Sequence, residues 1–95
     1  MSEQVKDAHE ASALPAIDFG TFVMSLASSV LVHLGEIAHP DAPGRNPNLP
    51  LAKQTVDILG MLREKTRGNL TQEESQLLDN LLYDLRMKYV DAKNR

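Results

Sequence analysis

The sequence predicts an all-α fold: a first apolar helix packed on an antiparallel two-helix hairpin, three helices in one chain, with the core completed by homodimerisation. Three observations predict it. From Phe19 to Val32 there is not one charged residue, in a chain of 95 residues that carries a formal net charge of −3. Two later segments, Leu51–Leu62 and Leu77–Tyr89, space their apolar residues with the period of an α-helix. Between these segments lie residues that start and stop helices: Asp18, the Pro-rich stretch 38–48, and Gly68 followed by Thr71.

Asp18 can accept hydrogen bonds from the free N–H groups of the turn that follows it, which predicts a first helix over 19–35. Pro40, Pro43, Gly44 and Pro47 exclude a regular element from the loop 38–48. Asn48 then caps a second helix over 50–66, with Pro50 in the first turn, where its missing N–H is no loss. Gly68 can take the left-handed conformation that closes a helix. Thr71 and Glu74 have the spacing of a capping box, which opens a third helix over 72–92. So short a link folds the second and third helices back on each other as an antiparallel pair.

Hydrophobic residues make up 42% of the chain and charged residues 24%, the balance of one globular domain rather than of a disordered chain. Residues 1–16, rich in Ala, Ser and charge around Pro15, read as a flexible N-terminal tail, which leaves 17–92 as the domain and 93–95 as a frayed C-terminus. A single core of this size rarely supplies more than about 3–5 kcal/mol. Cysteine is absent, so no disulfide can help, and that absence fits a reducing compartment. A second copy of the chain is the remaining support. Met1–Glu10 mixes charges and leads into no apolar run, so no secretory signal is read and a cytoplasmic location is expected. The uncharged run falls short of the roughly 20 apolar residues that a bilayer crossing takes, which argues against a membrane. The negative net charge argues against general nucleic-acid affinity, which depends on clustered Lys and Arg.

On a wheel of 100° per residue, Leu77, Leu78, Leu81, Leu82, Leu85 and Tyr89 form the core stripe of the third helix. Leu51, Ala52, Thr55, Ile58, Leu59 and Leu62 form that of the second, where Gly60 interrupts the far side. In the first helix the bulky Phe19, Phe22, Val23, Leu26, Val30 and Leu34 are expected to lie on the hairpin. Its other side carries Thr21, Ser25, Ser28, Val32 and Gly35 at steps of 4, 3, 4 and 3, the rhythm of a helix–helix seam, flanked by Met24 and Leu31. Small side chains at those steps let two backbones approach closely. The other helices use Lys, Asp, Glu and Arg on their wet sides, whereas this one uses none. A second copy packed across this seam with two-fold symmetry is therefore expected.

His33, Glu36 and His39 spell H-x-x-E-x-x-H, but the third donor sits beside Pro40 in the loop, and a metal site needs three or four converging donors. His33 is better read as a residue near a helix C-terminus, where its positive form suits the dipole. No nucleophile stands beside a recognisable base, and no phosphate-binding glycine string occurs. Neither catalytic residues nor a metal or cofactor site is expected, and the protein is read as non-enzymatic. Arg63, Lys65 and Arg67, and Arg86, Lys88, Lys93 and Arg95, cluster at two helix ends and suit the dipoles there. Tyr83, Met87 and Val90 recur at i, i+4, i+7 on the side of the third helix away from its leucines, a candidate docking patch for the other protomer or for a different protein.

Four strings carry a resemblance to a known family: Ile17-Asp-Phe-Gly-Thr-Phe-Val-Met-Ser-Leu-Ala-Ser-Ser-Val-Leu-Val-His-Leu-Gly-Glu36, Asn48-Leu-Pro-Leu-Ala-Lys-Gln-Thr-Val-Asp-Ile-Leu59, Lys65-Thr-Arg-Gly-Asn-Leu-Thr71 and Leu82-Tyr-Asp-Leu-Arg-Met-Lys-Tyr89. The chain resembles a small bacterial family catalogued as a domain of unknown function, number 1844. The strings leave out the tail and the Pro-rich loop. The resemblance implies a bacterial cytoplasmic origin and brings no activity, cofactor or binding residue. The expected function is that of a helical protein–protein interaction module, an adaptor or regulator of a signalling protein such as a response regulator or small GTPase. Its expected partners are itself and an unidentified bacterial protein. The alternative is a small-molecule or lipid-binding module whose uncharged first helix lines an apolar cavity.

Overall fold

A computed structural model describes residues 16–37 and 47–95. Expectations placed on 1–15 and on 38–46, which hold most of the tail, most of the loop and His39, lie outside the described residues. The described residues form three α-helices and no strand: α1, Phe19–Leu34; α2, Leu49–Lys65; and α3, Gln72–Lys93.

Each helix starts where its cap demands. Asp18, in extended backbone, accepts from the Thr21 N–H at 2.7 Å, and Asn48 accepts from the Leu51 N–H at 3.1 Å. Thr71 and Glu74 form the full capping box: the Thr71 hydroxyl accepts from the Glu74 N–H at 3.1 Å, and the Glu74 carboxylate accepts from the Thr71 N–H at 2.9 Å. The first helix ends one residue before the expected limit because Gly35 leaves the helix at φ +84°. The N–H of Gly35 then donates to Val32 O at 3.0 Å and that of Glu36 to Leu31 O at 2.9 Å, the paired closure of a Schellman motif. Gly68 supplies the second left-handed turn, at φ +85°.

The hydrogen bond from Thr21 holds the Asp18 carboxyl below the ordinary aspartate range, the backbone donor contributing most. A carboxylate whose folded value is depressed adds stability above its unfolded value, and that stability is lost as pH falls through the folded one. Acidification should therefore loosen the first turn of α1, seen as faster amide exchange at Thr21 and Phe22. Asp18→Asn, which caps without titrating, should remove that pH dependence; unchanged acid sensitivity in the variant would assign the effect elsewhere.

Side-chain neighbours fix the topology. Arg63 pairs with Asp79, and a Cβ placed on Gly60 would lie 3.0 Å from an Arg86 guanidinium nitrogen, so α2 runs antiparallel to α3. Leu77 lies beside Gly20 and Arg95 reaches Glu36 at 3.8 Å, so α1 runs parallel to α3. All three helices touch one another in an up-down-up arrangement. The core is built from Val23, Ala27, Val30 and Leu34 of α1, Ala52, Val56 and Leu59 of α2, and Leu78, Leu82 and Leu85 of α3. Thr55 is buried among them and satisfies its hydroxyl on Leu51 O at 3.0 Å.

Two stripes differ from expectation in phase. On α1 the buried line is Val23, Ala27, Val30 and Leu34; Phe19 and Leu26 pack at its edge, and Phe22 remains 40% exposed. On α2, Leu51 is 37% exposed whereas Val56, which the expected stripe omitted, is buried. The reason is the small side chains. Ala27 and Ala52 are buried where bulkier neighbours are not, so the core includes them rather than Phe22 and Leu51. Helix α3 matches its expected stripe, with Leu77, Leu81 and Tyr89 at the margin.

Candidate interaction surfaces

The outer face of α1 is open in the single chain. Thr21, Met24, Ser25 and Ser28 are exposed, Val32 is half-buried, and they stand on the side of the helix opposite the core line. Ser25 donates its hydroxyl to Phe22 O at 2.7 Å, and Ser29 lies 3.2 Å from His33 Nε2. Ser25, bonded to its own helix, presents little polarity outward, and the face is uncharged, with Phe22 and Met24 at its borders. Two expected seam members have other employment. Leu31 packs against the core, and Gly35 forms the left-handed cap, where its Cα faces the Pro47 ring: a Cβ there would stand 2.9 Å from Pro47 Cγ. Sequence reasoning found this glycine through its spacing, yet the turn it makes already accounts for it.

A second exposed surface lies on α3. Tyr83, Met87 and Val90 are 70%, 55% and 52% exposed and floor a shallow groove rimmed by Asp84, Arg86 and Asp91. They lie on the side of α3 away from Leu78, Leu82 and Leu85. Structure and sequence agree on this placement because the third helix has the cleanest apolar period.

Arg63 and Arg67 at the α2 end are tied up locally. Arg63 pairs with Asp79, and Glu64 takes Arg67, which holds the Glu64 carboxyl below its usual range. Lys53 similarly pairs with Asp57 at 2.9 Å, one turn on. Among the described residues no three His, Asp or Glu side chains converge as metal ligands, and His33 is half-buried beside Ser29. A small recess at the α2–α3 turn, lined by Arg63, Thr66, Arg67, Ser75 and Asp79 over Leu78, has polar walls already joined by the Arg63–Asp79 pair. No described helix is long and apolar enough to cross a membrane.

The family model described as "Domain of unknown function (DUF1844)" matches residues 16–91. The match runs through the Pro-rich loop that the quoted strings left out. No curated protein and no solved structure matches the chain.

Proposed function

Because the chain belongs to the DUF1844 family, which brings no activity with it, we propose from its surfaces that it is a non-enzymatic interaction module of the bacterial cytoplasm. In this reading the outer face of α1 docks on a helix of another protein, in the manner of an adaptor. One observation carries the proposal: a helix of 16 residues turns an uncharged face, with Met24 47% exposed, toward solvent. Burying a large apolar side chain is worth roughly 1.5–3 kcal/mol, so a partner helix has a reason to cover Met24 and Phe22. The serines between them permit close approach of two backbones. The absence of cysteine fits a reducing compartment.

A photo-crosslinking residue at Ser25 or Ser28, in the full chain within cells that produce it, should capture a defined second polypeptide, and one at exposed Asp57 should not. Met24→Lys, combined with either crosslinking position, should abolish that capture while leaving the helical circular dichroism intact. Capture of nothing at either position removes the reading, and a product of twice the chain's mass would make α1 a self-pairing surface instead. The second reading, an apolar cavity lined by α1, has less support, since Val23 and Val30 are fully buried against the hairpin. Native mass spectrometry with a co-purifying ligand of defined mass would revive it.

A further inference from the structure

The outer face of α3 has a longer pattern than three apolar residues. Gln76, Asn80, Tyr83, Met87, Val90 and Asn94 follow one another at steps of 4, 3, 4, 3 and 4, and all six are exposed. This is the seam spacing of a two-stranded coiled coil, on the side of the helix opposite its buried leucines. Charges flank the seam by sign. Asp84 and Asp91 lie along one edge, and Arg86 and Lys93 along the other, with all four exposed and none in an ion pair among the described residues. Asp79, the one acid on the basic edge, is already held by Arg63.

We propose that this face pairs with the same face of a second copy, the two α3 helices lying parallel and in register about a two-fold axis along the helix. The flanking charges decide the direction. In a parallel pair the edge residue before one seam position meets the opposite edge five residues further along the partner helix. Arg86, whose guanidinium lies over Gly60 of α2 in the single chain, turns to the seam and meets Asp91 of the second copy, and symmetry makes the contact twice. Asp84 of the second copy faces Asp79, whose charge Arg63 balances. An antiparallel pair would set the acidic edge on the acidic edge and Arg86 and Lys93 on their like. The asparagines agree with the parallel arrangement. Asn80 and Asn94 occupy the same kind of seam position as Met87, where a polar residue fixes register and two strands at a cost in affinity. With three apolar residues in the seam the dimer is weak and salt-sensitive. This self-pairing does not rest on the α1 reading and leaves the α1 face free.

The lack of cysteine makes disulfide trapping clean. Asn80→Cys alone and Asn94→Cys alone should each form a covalent dimer under mild oxidation, at least about tenfold faster than Ser25→Cys on α1. An antiparallel pair would cross-link only the mixture of Asn80→Cys with Asn94→Cys. That outcome, faster cross-linking through Ser25→Cys, or no cross-linking at all, overturns the proposal. In low salt, Arg86→Asp and Asp91→Arg should each weaken dimerisation by about tenfold, measured by sedimentation, and the double exchange should restore it. No loss in the single variants, or no recovery in the double, overturns the assignment of direction. Failure here would leave photo-capture through α1 untouched, so the two readings fall separately.

Discussion

Leu59→Ala should lower the free energy of unfolding by about 2–5 kcal/mol, the range for emptying a leucine site in a packed core. Leu59 has no exposed surface, and α2 runs between two helices that both oppose its direction, so no single neighbour can move in to close the gap. A single core of this size supplies about 3–5 kcal/mol, so the change removes most of it. Urea unfolding followed by helical circular dichroism should show a lower midpoint with the slope unchanged. Leu51→Ala is the control. It is the same substitution in the same helix, but at a side chain 37% exposed, and should cost less than about 1 kcal/mol. Equal losses at the two positions would mean that the core does not centre on the line through Ala52, Val56 and Leu59.

Gly35→Ala should cost about 2–5 kcal/mol, from two sources. A Cβ at φ +84° is strained, worth about 1–2 kcal/mol. It would also stand 2.9 Å from Pro47 Cγ, and forcing an atom into such a contact costs about 1–3 kcal/mol. The proline ring cannot swing aside as a flexible side chain would. Its displacement would pull on Asn48, which caps α2 and donates its N–H to His33 O at 2.8 Å, so the start of α2 and the end of α1 would suffer together. Gly68→Ala separates the sources, because Gly68 has nearly the same φ and nothing within 4 Å of its Cβ position. That variant should lose only the backbone part. In a double-mutant cycle Pro47→Ala should recover most of the steric part at Gly35; a loss no larger than that of Gly68→Ala would discount the Pro47 contact.

The phase errors in the sequence reading come from treating bulk as burial. Phe22 is larger than Ala27, and a wheel drawn from hydrophobicity turns toward it; packing of two neighbours against α1 turned toward Ala27. Gly35 shows the complementary effect. Its spacing with Ser28 and Val32 suggested a seam, while the left-handed turn it makes and the ring of Pro47 became visible only with the chain folded. The α3 face was read in part. Tyr83, Met87 and Val90 stood out because they are apolar, but Asn80 and Asn94 extend the same line without being apolar, and a search for hydrophobic residues passes over them.

By itself the sequence determined the three helices, their limits to within a residue or two, and the sharp turn that makes α2 and α3 antiparallel. Caps, glycine stops and apolar period act over about one helical turn, so their causes and their effects both lie within a few residues of chain. Only the tertiary structure decided which face of α1 meets the hairpin, that α1 runs parallel to α3, and that Phe22 and Leu51 remain open while Ala27 and Val56 are enclosed. Those outcomes depend on how three surfaces interdigitate at once, and close packing selects among several nearly equal apolar stripes by shape.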